Sequence, residues 1–389
     1  VDRVIVVGAG LAGLETVVAL RGQGYAGALT LVGAEVDPPY DRPPLSKALL
    51  TGEVDDTTLE ADWDALEVTR LLGCRATGLP AQGVLATEAG ELEHHGLVVA
   101  TGASPVRLPG ADTALTLRTR ADALALRARL HPGARLVIVG AGWIGAEVAT
   151  AAVRAGARVT VVEALSAPLA SALPTYCGQR MVPWWSDVDL RLGAAVDAVE
   201  PGAVHLLGGE RLAADTVLVA VGARPETAWL AGSGIDLTPR GAVAVDSGLR
   251  TSRPGVFAVG DCASWESQRY GTRMHVEHWD NALRAPATAA ANLLGGDERY
   301  DPVPYFWSEQ WGRMVQYAGH HPAGERVVWR EGGDGRWAAF WLAGDRLVAA
   351  LTVDRPRDLV QARHLMVSAR PIDEERLRDP AIAVKAAAL

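Results

Sequence analysis

At 389 residues the chain is longer than one ordinary core, which predicts two or three domains and excludes a small binding module. Its 49% hydrophobic and 21% charged residues exclude global disorder, and its 42 glycines point to a loop-rich α/β design. A formal charge of −9 leaves no basic footprint for nucleic acid.

The first predicted element is a βαβ unit, RVIVVGAGLAGLETVVALRGQGYAGALTLVGAE, from Arg3 to Glu35. A β-branched apolar run, a glycine turn, an Ala/Leu/Val-rich helical stretch and a second apolar run give a parallel strand pair with a crossover helix. The turn is GxGxxG. Gly8 permits the tight strand-to-helix turn, Gly10 lets the backbone approach a pyrophosphate, and Gly13 lets helix and strand pack closely. The helix N-terminus then faces the anion. Glu35, 22 residues after Gly13, is expected to close the second strand as a ribose acceptor. A Pro-rich loop, DPPYDRPPLSK, comes next, then an α/β stretch ending in LVVATGASP; SPVRLPG, near 105–111, reads as a linker.

The same sentence is spelled again 132 positions later, as RLVIVGAGWIGAEVATAAVRAGARVTVVEA from Arg135 to Ala164. Gly140, Gly142 and Gly145 repeat the turn around Ile144, and Glu163 lies 18 residues after Gly145. Two dinucleotides on one chain are most economically a flavin held permanently and a nicotinamide nucleotide that visits. The second domain is expected to close near DTVLVAVGARP, followed by GVFAVGDCA and a helix from about Asn281 to Leu294. From Pro304 the composition changes. Five of the twelve tryptophans lie between Trp307 and Trp341, in short alternating strands such as RWAAFWLAGDRLVAAL, which predicts a separate α+β domain.

Cys74, Cys177 and Cys262 stand far apart without a CxxC pair, so buried, inert thiols are expected. HVEHW crowds His275, Glu277 and His278, but without a metal-binding spacing; no metal is expected. His320 and His321, before Pro322, read as a loop, and no GxSxG elbow occurs. No stretch approaches the ~18 apolar residues of a membrane span, and VDRVIVVGAG enters a strand with no signal-peptide pattern, so a soluble, cytoplasmic protein is expected. Only Lys47 and Lys385 are lysines among 37 basic residues. Where any cation would serve, this chain uses Arg, so Lys47 after two prolines marks a place that needs a compact ammonium.

Both fingerprints, with PYDRPPLSK at 39–47, VVATGA at 98–103, GARP at 222–225, VFAVGDCA at 256–263, EHWDNA at 277–282 and YFWSEQ at 305–310, resemble the flavin-dependent ferredoxin reductases of bacterial oxygenase systems. This is the family of putidaredoxin reductase and the biphenyl-dioxygenase reductases. The resemblance covers essentially the whole chain, and PYDRPPLSK and FWS are its most specific parts. It implies a glutathione-reductase-like α/β fold: two Rossmann-like dinucleotide-binding domains plus a small α+β C-terminal domain. An FAD domain over 1–105 and 224–303 would be split around an NAD domain over 106–223, with 304–389 lying over the flavin. The implied activity is transfer of a hydride from NADH to FAD and then of single electrons to a [2Fe–2S] ferredoxin that feeds a Rieske-type or haem oxygenase. A monomer or weak homodimer is expected. Relatives with a redox-active cysteine carry it in the region of Pro44, Leu45, Ser46 and Lys47, so disulfide and peroxide reduction are disfavoured. Alternatives with the same fold are an NADH oxidase, a quinone or rubredoxin reductase, and an apoptosis-inducing-factor-like NADH sensor.

The resemblance also assigns residues. It places the Lys47 ammonium near flavin N5, favouring the electron-rich reduced ring. Glu147, assigned to the first turn of the second unit's helix, is in one reading an N-terminal helix charge worth ~0.3–1 kcal/mol; the resemblance instead has it face Lys47. Asp261 would accept from the ribityl hydroxyls of FAD, Arg42 and Arg118 would serve its pyrophosphate, and Ala76, Thr101, Gly102 and Trp279 would complete its site. Gly222 joins the nicotinamide site. Trp307 would stack near the flavin and face the ferredoxin, with Arg269, Arg273, Arg284 and Arg313 as candidates for a basic docking patch. Glu163 would accept from a free 2′-hydroxyl and repel a 2′-phosphate, which predicts NADH. Many relatives place an Arg about eight residues after this acid; here Ser171 stands there, and a weaker hold on NAD is expected.

Overall fold

A computed structural model describes residues 1–321 and 326–389, so Pro322 lies outside the described residues. The chain divides into two compact units, one formed by Val1–Pro38, Ala61–Gly102 and Pro225–Leu389, the other by Pro39–Glu60 and Ala103–Arg224. The segment that carries PYDRPPLSK thus belongs to the same unit as the second fingerprint.

In the first unit, five apolar runs form an all-parallel sheet in the order Val256–Ala258, Gly96–Val99, Arg3–Val7, Ala28–Val32, Val68–Leu71. Val4, Ile5, Val6 and Val7 are all buried, as expected of a parallel strand covered on both faces. Helix α1 (Leu11–Gly22) makes the crossover from the central strand to its neighbour. Because the strands are parallel, three of them end at one edge, delivering Gly8–Gly13, Ala100–Gly102 and Gly260–Asp261 there. Glu35 does not close its strand. The strand ends at Val32; Gly33 still donates to the Leu71 carbonyl at 2.9 Å, and Glu35 lies three residues past the last strand residue.

The second unit repeats the plan with a parallel sheet ordered Asp189–Leu192, Arg158–Glu163, Arg135–Val139, Thr216–Val219. Here Glu163 is the last residue of its strand. Helix α2 (Trp143–Arg154) begins directly after Gly142. Glu147 therefore lies in the second turn of α2, not the first, and cannot act as an N-terminal helix charge. In the Pro39–Glu60 segment, two prolines start a 3-10 turn over Pro43–Ser46, followed by a short helix over Ala48–Thr51.

The rest of the first unit carries α3 (Trp279–Leu293), which starts two residues before the expected Asn281 because His278 is its extended N-cap. After it, an antiparallel sheet runs Tyr305–Gln310, Arg313–Gly319, Arg346–Val353, Trp337–Ala343, Arg326–Glu331. Helix α4 (Pro356–Ser368) packs on this sheet through Leu359, Ala362, Leu365 and Met366, over Ala318, Phe340 and Ala350. Helix α5 (Glu374–Arg378) adds Leu377 to the same core. This is the expected α+β architecture. No helix among the described residues is long and apolar enough to cross a membrane.

Candidate functional site

The glycine turns are best understood by asking what a side chain would meet. At Gly8 (φ +113°) an added Cβ would overlap the Ala100 carbonyl, and at Gly13 it would overlap the Gly8 carbonyl. Internal packing therefore requires both. At Gly10 nothing lies within 4 Å. Nothing inside the unit requires glycine there, and the open space admits the close approach of a pyrophosphate. No side chain caps the N-terminus of α1, leaving its first N–H groups for an anion. Gly260 packs against Ala12 in the first turn of α1, which sets Asp261 beside this turn, and His275 Nε2 donates to the Asp261 carbonyl at 2.8 Å. Thr101 Oγ1 donates to the Glu226 carbonyl at 2.6 Å, and Glu226 N–H donates to the Gly102 carbonyl at 2.9 Å, fixing the adjacent strand end. These residues gather around the uncapped N-terminus of α1 at one edge of the sheet. Ala76 is buried in the core of this unit, and the Glu35 carbonyl accepts the Gly73 N–H at 2.8 Å.

Trp279 opens α3 and meets Trp307 edge-on, with ring centroids 5.8 Å apart; Trp307 in turn stacks on Tyr305 at 6.0 Å. The Arg363 guanidinium lies 4.9 Å above the Tyr305 ring and 3.9 Å from Asp280. Sequence reasoning missed Arg363, since no local pattern links α4 to this aromatic row.

In the second unit, Gly140 (φ +107°) would overlap the Ala220 carbonyl and Gly145 the Gly140 carbonyl, whereas Gly142 has only the Ala220 oxygen at 4.0 Å. The same division of labour recurs, again with an uncapped helix N-terminus. Ile144 stands 39% exposed on the first turn. Both oxygens of Glu163 are held, one by the Ala141 N–H and the other by the Leu165 N–H, each at 2.8 Å. Gly222 (φ +110°) has no atom near its Cβ position, and its carbonyl accepts the Val106 N–H at 2.9 Å. Ser171 and Arg180 are both exposed.

This unit also brings Lys47 and Glu147 together. The Lys47 Nζ lies 2.8 Å from Glu147 Oε2, with the lysine side chain 18% and the glutamate 4% exposed. Lys47 also donates to the Pro43 carbonyl at 3.3 Å. Ser46, buried and assigned no role from sequence, donates to the same Glu147 Oε2. Arg42 donates to the Arg118 carbonyl at 2.6 Å and to the Tyr40 hydroxyl at 3.1 Å. The Arg42 and Arg120 guanidinium groups lie 4.9 and 5.1 Å from the Tyr40 ring centroid, and Arg120 pairs with Asp56 at 2.6 Å.

The thiols are unsuited to redox chemistry. All three are buried and unpaired, burial pushes Cys177 up to about 12, and it raises Cys262 as well. His278 packs on Phe306 with centroids 4.7 Å apart, and burial drives its imidazole down to about 4. The four arginines considered for docking are each committed: Arg273 to Glu266 at 2.5 Å, Arg284 to Asp280 at 2.7 Å, Arg313 to Asp354 at 3.1 Å, and Arg269 to the Met366 carbonyl at 3.0 Å.

Residues 2–285 match the family described as pyridine nucleotide-disulphide oxidoreductase, and residues 305–388 match the reductase C-terminal family. The chain is 36% identical to the ferredoxin–NAD(+) reductase component of the anthranilate 1,2-dioxygenase system of Burkholderia cepacia, over 99% of this chain and 98% of that one. The crystal structure of Fdr9 superposes with a TM-score of 0.95 at 48% identity, covering 99% of both chains. The reductase in the crystal structure of the covalent putidaredoxin reductase–putidaredoxin complex superposes with a TM-score of 0.94 at 30% identity, also over 99% of each chain.

Proposed function

The chain belongs to the pyridine nucleotide-disulphide oxidoreductases, among the ferredoxin–NAD(+) reductase components of oxygenase systems, and we propose that it moves electrons from NADH to a [2Fe–2S] ferredoxin. When bound, FAD supplies the conversion of one hydride into two single-electron deliveries. The observation that carries this reading is the pair of glycine turns, one in each unit. Each has its first and third glycine fixed by internal packing and its second opening onto space.

In this reading Gly8, Gly10, Gly13 and the N-terminus of α1 hold the FAD pyrophosphate, and Arg42 and Arg118 of the second unit are assigned as phosphate-binding cations. Thr101, Gly102, Asp261, Ala76 and Trp279 complete that site, over a domain of 1–105 and 224–303. Gly140, Gly142, Ile144, Gly145, Glu163 and Gly222 hold NADH within 106–223. Lys47 presents an ammonium whose direction is set by Glu147, in support of the hydride step. Trp307, in the domain over 304–389, faces the ferredoxin, which passes electrons to a Rieske-type or haem oxygenase. The protein works in the cytoplasm as a monomer or weak homodimer.

The deciding experiment is an anaerobic stopped-flow titration of the yellow protein with NADH and NADPH, followed by oxidised [2Fe–2S] ferredoxin. Fast bleaching by NADH and reoxidation by ferredoxin are expected. Bleaching without ferredoxin reoxidation would move the function to another acceptor.

A further inference from the structure

Ser46 and Lys47 are neighbours in sequence that converge on one atom. Two prolines fix the 3-10 turn over Pro43–Ser46, and the chain leaves it at Lys47 with φ −125° and ψ −110°. That turn directs the Ser46 hydroxyl and the Lys47 ammonium to the same oxygen, Glu147 Oε2, in the buried second turn of α2. A lysine has a long, flexible stem, so one carboxylate contact fixes its head poorly. A carboxylate held by a second, buried donor is a fixed point against which the ammonium can be set. Glu147 Oε2 and the Pro43 carbonyl take two of the three ammonium donors, leaving a third N–H for a ligand.

We infer that Ser46 is a positioning residue: it locks Glu147, and through Glu147 it aims the Lys47 ammonium at the transfer site. This deepens the reading above and rests on the role given there to Lys47. A serine is required because the hydroxyl is a donor small enough to remain buried beside the carboxylate. Thr preserves that donor, while Ala removes it with little change in volume.

The test uses the FAD-loaded chain and two readouts. In stopped flow, Ser46→Ala should lower the limiting rate of flavin reduction about tenfold and leave the NADH dissociation constant within about twofold, because only the aim of a donor is lost. Ser46→Thr should recover most of that rate. In a Glu147→Leu background, Ser46→Ala should add less than about twofold, since nothing remains to position. The second readout is independent of turnover. The chain contains only Lys47 and Lys385, so lysine labelled at the ε position gives two side-chain NMR signals. In Ser46→Ala the Lys47 signal should shift and its ammonium protons exchange faster with water, with Lys385 unchanged. An unmoved Lys47 signal, or an equal loss of rate in the parent and Glu147→Leu backgrounds, would overturn the inference. If NADH fails to bleach the parent itself, the function proposed above falls, and the NMR arm still decides the role of Ser46.

Discussion

The Glu163 carboxylate stands 2.8 Å from the Ala141 N–H, so the acid that ends the second unit's strand is tied directly into the glycine turn. Its other oxygen is held by Leu165 N–H, which fixes the carboxylate at the strand end where the proposed reading places the adenosine ribose. A fixed anion accepts from a 2′-hydroxyl and repels a 2′-phosphate. Glu163→Ala should therefore raise the KM for NADH about tenfold and narrow the NADH-to-NADPH ratio of kcat/KM by at least as much. Ser171→Arg, which places a cation on this exposed segment, should lower the KM for either nucleotide. Steady-state kinetics with both nucleotides check the two variants; a ratio unchanged in Glu163→Ala would remove Glu163 from nucleotide selection.

Lys47 and Glu147 allow function to be separated from stability. Replacing Lys47 by Met leaves a carboxylate that is 4% exposed without its cation, and breaking a buried pair in this way costs ~3–5 kcal/mol. Thermal melting of Lys47→Met should shift down accordingly, and flavin reduction by NADH should slow about a hundredfold. Adding Glu147→Gln should restore most of the melting temperature and none of the rate. Recovery of both together would mean that the pair is structural only.

The contrast between these two sites explains what could be read in advance. Gly8–Gly13 and Gly140–Gly145 are local patterns whose spacing states the geometry directly, and both parallel sheets follow from the runs around them. Helix starts were harder: α2 begins at Trp143, immediately after the turn, which moved Glu147 one turn deeper than expected. Glu35 lies three residues past the last strand residue, Val32, while its carbonyl still accepts the Gly73 N–H. The link between Lys47 and Glu147 came from resemblance alone, since nothing in the chain between them encodes the contact. The hydroxyl of Ser46 carried no pattern at all. Of the docking arginines, only the Arg284–Asp280 pair had readable helical spacing; Arg313–Asp354 required the strand pairing to be known.

Arg330 provides a stability test away from the proposed chemistry. Its side chain is 1% exposed, and it donates from Nε to the Leu377 carbonyl at 2.8 Å and from a terminal nitrogen to the Arg376 carbonyl at 3.2 Å. It thus satisfies the last carbonyls of α5, with Asp358 3.6 Å away as counter-charge. Arg330→Met keeps the stem but strands these acceptors, at a cost of ~3 kcal/mol. Amide hydrogen exchange should accelerate across 372–389 while Arg3–Val7 keeps its protection. Equal protection of the tail in parent and variant would show that α5 is held by its apolar contacts alone.

His94 is expected to contribute to the acid limb of stability. It is 5% exposed, neither ring nitrogen has a hydrogen-bond partner, and burial, reinforced by Arg253 and His95, holds its imidazole down at about 4. An unfolded histidine titrates near ~6.5, so in that interval the unfolded chain binds a proton that the folded chain refuses. The stability associated with neutral His94 is complete above ~6.5 and is lost as the pH falls to about 4, a difference of ~3 kcal/mol. Burial also holds His278 and His321 at about 4, which steepens the same limb. His94→Leu removes the proton and two unsatisfied nitrogens at similar volume, and should stabilise the protein by ~1 kcal/mol at pH 7. Melting temperatures of variant and parent should then diverge further at pH 6 and again at pH 5. A gap that stays constant with pH would show that His94 takes up its proton as readily in the folded chain as in the unfolded one.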